Sequence, residues 1–189
     1  LIPADMRQNR RKGTNGHMKI ALEKEMETLL IPLYGRAMMH QKGLAEDPFA
    51  KETVEKLDYD FSKLRIQEKT QVMLSVRSSA IDRLAGAFLR EHPNAVVLSL
   101  GCGLDARERR LNAPYCRWYD LDFPEVIAIK RQLYPQTERF RYIASSVTNW
   151  GWMERAERSD ETLVIAEGLT MYLSAEEMRA YRGTLTEPG

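Results

Sequence analysis

The chain holds 189 residues, enough for one domain with room for a helical extension. With 43% hydrophobic and 29% charged residues it has the composition of a globular protein that can build a core. Its 28 Lys+Arg against 27 Asp+Glu lack the strongly basic footprint of a nucleic-acid binder, so no nucleic-acid partner is expected. Two cysteines, Cys102 and Cys116, cannot make a disulfide framework or a metal site, and both read as small buried hydrophobes near strands. The longest apolar runs reach about five or six residues, far short of the roughly 20 of a membrane span. No signal-peptide pattern opens the chain, so a cytoplasmic location is the expectation. Nothing in the sequence speaks to the oligomeric state.

Residues 1–18 are low in apolar content and carry Arg7, Arg10, Arg11 and Lys12, which predicts a disordered tail. Its Gly16-His17-Met18 ending resembles a cloning scar. From Lys19 to Gln41 the apolar residues Leu22, Met26, Leu29, Leu30, Leu33 and Ala37 recur at helical spacing, and Pro32 is expected to kink or split that helix. Asp47-Pro48 reads as an N-cap followed by a first-turn proline. Residues 65–92 predict one or two helices, on a pattern of Ile66, Val72, Met73, Val76, Ala80, Ile81, Leu84, Ala87 and Phe88.

At Ala95 the period changes. Ala95 to Leu100 is a short apolar and β-branched run ending in a glycine, as a buried parallel strand does. A short helix from about Asp105 follows, then a strand over Cys116–Leu121 and a helix opened by Pro124. A third strand at Phe140–Ala144 precedes a short helix near Trp150–Ala156 and a fourth strand at Thr162–Ala166. Ser174 and Glu177 have the spacing of a capping box that opens the last helix. Residues 185–189 read as a turn toward a further strand. The organisation predicted is a tail at 1–18, a helical cap at 19–94 and an α/β core with a parallel sheet at 95–189.

Ligands of open α/β sheets bind at the carboxyl ends of the strands. Four such ends are readable: Gly101-Cys102-Gly103, Asp120-Leu121-Asp122, Ser145-Ser146-Val147 and Glu167-Gly168. The string Gly101-x-Gly103-x-x-Ala106 fits a dinucleotide loop, although two glycines after a strand are also a common tight turn. Asp122 stands 19 residues past Gly103, where a carboxylate can take both hydroxyls of an adenosyl ribose; a solvated turn before Pro124 is the plainer reading. NAD and S-adenosylmethionine share that ribose. Asp105 in the loop would repel a pyrophosphate, and Glu167 adds negative charge where a cationic cofactor would lie. Both points favour S-adenosylmethionine, while Arg107, Arg109 and Arg110 nearby work against the argument.

The strings Val97-Leu98-Ser99-Leu100-Gly101-Cys102-Gly103-Leu104-Asp105-Ala106-Arg107, Tyr119-Asp120-Leu121-Asp122-Phe123-Pro124-Glu125-Val126-Ile127 and Ala166-Glu167-Gly168-Leu169-Thr170-Met171-Tyr172-Leu173 resemble the leucine carboxyl methyltransferase family. That family includes bacterial O-methyltransferases associated with polyketide synthesis. Arg77-Ser78-Ser79-Ala80-Ile81-Asp82 and Glu46-Asp47-Pro48-Phe49-Ala50 are similar to it as well. The resemblance runs from about Leu29 to the end.

The resemblance implies a Rossmann-like class I methyltransferase fold and S-adenosyl-L-methionine as cofactor. It implies methyl transfer to a carboxyl or hydroxyl of a small-molecule or peptide-carboxylate acceptor. Arg77 would pair bidentately with the methionyl carboxylate, and Arg36 falls at a second basic position for the same group. The loop Gly101, Cys102 and Gly103 would meet the methionyl part and Asp122 the ribose. Ser146 and Val147 stand where the family usually has Asp-Leu against the adenine, so Ser146 is a departure. Glu167 would line the methionyl or sulfonium end. Tyr172 is a candidate for the substrate mouth, with a core aromatic as the alternative. Family members are typically longer, so the last strands of the usual sheet are expected to be missing here, leaving the fourth strand with an open edge. An NAD-dependent enzyme and a non-catalytic S-adenosylmethionine-binding protein are the rival readings.

Overall fold

Helices dominate the chain ahead of Ala95, as the three-and-four spacing predicts. The computed structural model describes the backbone of residues 20–21 and 27–186 and the side chains of residues 27–180. The tail expected at 1–18 and the apolar residues Leu22 and Met26 lie outside the described residues. Two compact units are present, one of residues 1–81 with 104–106 and one of residues 82–103 with 107–189.

In the first unit, β1 (Ile20–Ala21) pairs in parallel with β2 (Leu57–Asp58), so this part is not purely helical. Between them lie α1 (Glu27–Gln41) and α2 (Pro48–Lys56). Pro32 does not split α1. It sits close enough to the start that its missing N–H forfeits only a bond to the first-turn carbonyl of Thr28. Leu30, Leu33 and Ala37 form the buried stripe of α1, as their spacing predicts. Asp47 caps α2, its Oδ1 accepting the Ala50 N–H at 3.0 Å, with Pro48 in the first turn. A short 3₁₀ turn at Phe61–Leu64 follows.

The stretch predicted as one or two helices is a single 24-residue helix, α3 (Glu68–Glu91). Its inward face differs from the apolar pattern. Leu74, Ser75, Ser78, Ala85 and Leu89 are buried, while Val72, Met73, Val76 and Leu84 are 41–72% exposed. Small side chains allow a helix to pack close, and here they outweigh the larger apolar ones in setting the buried face.

The second unit carries the sheet. It contains β3 (Val96–Leu100), α4 (Arg107–Leu111), β4 (Arg117–Asp122), α5 (Pro124–Leu133), β5 (Phe140–Ala144), β6 (Thr162–Ile165) and α6 (Ala175–Thr186). The strands are all parallel in the order β5-β4-β3-β6, so the chain reverses direction of growth beside β3. Every residue of β3 is buried, as a central parallel strand requires. On β4, Tyr119 and Leu121 face an apolar cluster with Val96, Leu98, Ile143 and Trp152. The alternate residues Trp118, Asp120 and Asp122 face the other way. Among the described residues β6 pairs only with β3.

Ser174 and Glu177 form the expected capping box: Glu177 N–H donates to Ser174 Oγ at 3.2 Å and Ser174 N–H to Glu177 Oε2 at 2.7 Å. Helix α6 continues through Leu185 and Thr186, so the turn expected from 185 does not begin there. Cys102 is buried, but Cys116 is exposed, against the expectation for both.

Candidate functional site

The strand β3 ends in a loop that only glycine suits at two positions. Gly101 has φ 62° and Gly103 φ 52°, both in the left-handed region. A Cβ on Gly101 would lie 3.1 Å from Leu169 Cδ1 and 3.3 Å from Leu169 Cβ. Between the glycines, the Cys102 N–H donates to the Leu121 carbonyl at 3.1 Å, which ties the loop to β4. The Cys102 thiol lies 3.7 Å from the Gly103 carbonyl, and burial pushes its pKa well up. That thiol is a packed spacer rather than a nucleophile.

Asp122 closes on the same loop. Its Oδ2 accepts the Gly103 N–H at 2.7 Å and its Oδ1 the Phe123 N–H at 2.8 Å. Burial raises its pKa, against the two amides that favour the charged form. A carboxylate has about four acceptor sites, so two bonds leave each oxygen able to accept another. At the end of β5, the Ser145 N–H donates to the Asp122 carbonyl at 2.9 Å. Ser146 Oγ lies 2.8 Å from Thr148 Oγ1 in a local turn. The Val147 side chain packs in the apolar cluster, and its carbonyl accepts Trp152 Nε1–H at 3.0 Å.

Glu167 follows β6 and accepts a hydrogen bond from Arg107 Nη2 through its Oε2. Arg107 is 4% exposed, and its Nε donates to Asp82 Oδ1 at 2.6 Å. Arg110 donates to the same carboxylate, Nε to Oδ2 at 2.6 Å and Nη2 to Oδ1 at 3.1 Å. Tyr172 lies on a 3₁₀ turn (Thr170–Tyr172) and is 74% exposed, so it is not a core aromatic.

In the first unit, Arg36 is buried on α1. Its Nε donates to Asp47 Oδ2 at 2.9 Å and its Nη2 stands 3.3 Å from Asp105 Oδ1. Asp105 therefore does not face a phosphate with an unshielded charge, which weakens the repulsion argument made from sequence. Arg77 is half-buried on α3. The His40 ring packs between the Asp47 amide and the Ala45 carbonyl. In the second unit, His92 lies before the amino end of β3, opposite the strand ends of interest, and contacts Glu161 at 2.9 Å.

The structure hydrogen-bonds Gly103 to Asp122 within the second unit, with Gly101 in the same loop and Ser146 and Glu167 at neighbouring strand ends. It also shows residues that sequence reasoning passed over. In the sequence Arg107 counts only as one of three nearby positive charges, yet it is buried in a cluster of ion pairs. Lys130 is given no role there, yet it is 1% exposed and 2.6 Å from Asp120 Oδ2. The only local signal for Lys130 was its place among the apolar positions Val126, Ile127, Ile129 and Leu133. Among the described residues no cluster of His, Cys, Asp and Glu could hold a metal, and no helix is long and apolar enough to cross a membrane.

Residues 29–185 match the family model described as leucine carboxyl methyltransferase. The chain is 41% identical over 158 residues to the tetracenomycin polyketide synthesis O-methyltransferase TcmP of Streptomyces glaucescens, covering 80% of this chain and 58% of that protein. It is 26% identical over 178 residues to the S-adenosyl-L-methionine-dependent methyltransferase dpfgK of Gibberella zeae, covering 85% of this chain and 60% of that protein. The chain thus spans under two thirds of the length of these relatives.

Proposed function

We propose, since this chain belongs to the leucine carboxyl methyltransferase family, that it serves an S-adenosylmethionine-dependent O-methyltransferase acting on a carboxyl or hydroxyl oxygen of a small molecule. The observation that carries this reading is the Asp122–Gly103 bond of 2.7 Å. In a dinucleotide site the loop amides face pyrophosphate. Here one of those amides is taken by a carboxylate, which favours an adenosyl ligand without phosphate. The same bond points the carboxylate at the loop, ready to accept from ribose hydroxyls.

Bound S-adenosylmethionine supplies a methyl group already activated on a sulfonium. What the chain contributes is binding and alignment, which can lower a barrier by up to ~7–11 kcal/mol when donor and acceptor are held in line. In this reading the left-handed backbone at Gly101 and Gly103, free of any Cβ, lets the methionyl part approach closely. Asp122 orients the ribose, Ser146 and Val147 border the adenine, and Glu167 meets the ammonium or sulfonium end. Cys102 keeps the loop seated through its amide. Tyr172, exposed beyond β6, borders the acceptor. Within the second unit His92 lies away from the carboxyl ends of the strands, and an acidic acceptor oxygen needs no general base. The printed role of the Streptomyces relative in polyketide synthesis suggests an aromatic or carboxylic polyketide as that acceptor.

The test is calorimetry on the full-length protein with S-adenosylhomocysteine and with NAD. We expect S-adenosylhomocysteine to bind and Asp122→Asn to weaken it by ~10-fold or more, as loss of a charge-assisted bond should. Binding of NAD but not S-adenosylhomocysteine would overturn the reading.

A further inference from the structure

The buried charges around Arg107 carry a further step, which rests on the assignment of Glu167 to the cofactor. Three separate segments meet in this cluster: Asp82 from α3, Arg107 and Arg110 from α4, and Glu167 from the end of β6. The side chain of Arg107 is 4% exposed, against 18% for Asp82 and 11% for Glu167. A buried guanidinium must be matched by carboxylates, and Asp82 and Glu167 both meet it. Asp82 also accepts from Arg110, so one carboxylate is shared by two guanidiniums.

The division of donors within Arg107 is informative. Nε goes to Asp82 and Nη2 goes to Glu167, two nitrogens of one rigid plane. Asp82 therefore orients the guanidinium, and the guanidinium orients Glu167. A glutamate has three side-chain torsions that a ligand would otherwise have to freeze on binding. Lysine could not replace this function, because an ammonium is a point donor without the planar fork.

We infer that Arg107 is a positioning residue for the cofactor site: braced by Asp82, it holds the Glu167 carboxylate at the end of β6 for the amino-acid end of the cofactor. Arg107 itself does not touch the cofactor. Its removal acts only through Glu167, and only on ligands that possess the amino-acid tail.

The experiment measures binding of S-adenosylhomocysteine and of 5′-methylthioadenosine, which keeps the adenosyl group and lacks that tail. The proteins are the full-length wild type, Arg107→Met, Arg107→Lys, Glu167→Gln and the Arg107→Met/Glu167→Gln double variant. We expect Arg107→Met and Arg107→Lys to weaken S-adenosylhomocysteine by ~10-fold or more, in line with a charge-assisted contact, and to leave 5′-methylthioadenosine within about twofold. The double variant should bind like Glu167→Gln alone, since both changes remove one coupled interaction. Equal weakening of both ligands by the Arg107 variants would mark a purely structural role and overturn the inference. So would penalties that multiply in the double variant, or wild-type binding by the Arg107 variants when Glu167→Gln is weak. If Glu167→Gln itself binds as wild type, the Glu167 assignment fails first. Should Arg107→Met not fold, Arg107→Lys carries the same comparison.

Discussion

Replacing Lys130 by methionine keeps most of the stem and deletes a buried charge. Lys130 and Asp120 have side chains 1% and 6% exposed, and Nζ lies 2.6 Å from Oδ2. Burial works against the ammonium, but Asp120 together with Cys102 and Tyr142 outweighs it, so the lysine is held above its ordinary value of 10.5. A raised folded pKa means the stabilisation is fully present below the unfolded value and is lost as pH rises through the folded one. At neutral pH the whole effect is available. In Lys130→Met, the Asp120 carboxylate keeps the Trp118 Nε1–H donor at 2.9 Å but loses its counter-charge. Breaking one partner of a buried pair costs about 3–5 kcal/mol. With a urea slope near ~2 kcal/mol per molar, the midpoint of unfolding should fall by roughly 1.5–2.5 M. Asp120→Asn/Lys130→Met should be less damaged than the single lysine variant by at least ~2 kcal/mol, because no uncompensated charge remains. Equilibrium urea unfolding at pH 7 followed by tryptophan fluorescence measures both. A shift under about 0.5 M for Lys130→Met, or a double variant at the sum of the singles, would refute the reasoning.

Two further outcomes follow from the glycine loop. Gly101→Ala places a Cβ at φ 62° and 3.1 Å from Leu169 Cδ1, so it should cost at least ~1–2 kcal/mol. Adding Leu169→Ala should relieve the contact but not the backbone strain; wild-type stability for Gly101→Ala would show that the loop does not adopt this geometry. Asp122, raised by burial above the ordinary 3.8, should titrate above that value in a carboxyl NMR experiment. Because the raised pKa means that ionisation opposes folding, its contribution is present at low pH and lost as pH rises through the folded midpoint. The stability of Asp122→Asn should be flatter with pH across that window, and a midpoint at or below the ordinary value would refute the account.

Local chemistry was legible in the sequence wherever the cause was local. The strand Phe140–Ala144 lies where its aromatic and β-branched run predicts, and the caps at Asp47 and Ser174 lie where their spacing predicts. The glycine loop and Asp122 were readable because strand ends in a parallel sheet converge in space. What escaped depended on distant partners. Arg107 draws its partners from 25 residues upstream and 60 downstream, and no local pattern separates it from its basic neighbours. Asp105 looked like a bare charge until Arg36 was seen beside it. On α3, apolar periodicity marked Val72 and Val76, whereas packing selected Ser75 and Ser78. Hydrophobicity alone does not say which small residues a neighbour needs.

The bond between Gly103 and Asp122 also bears on redesign. In the proposed reading, the acid that takes the ribose is also one of the supports of the loop beneath it, so the two positions form a single structural block. Exchanging the acid to change nucleoside preference would disturb the loop before any new ligand arrived. Grafting the loop without the acid would leave an amide facing nothing. A successful transplant or specificity change would have to carry positions 101–103 and 122 together.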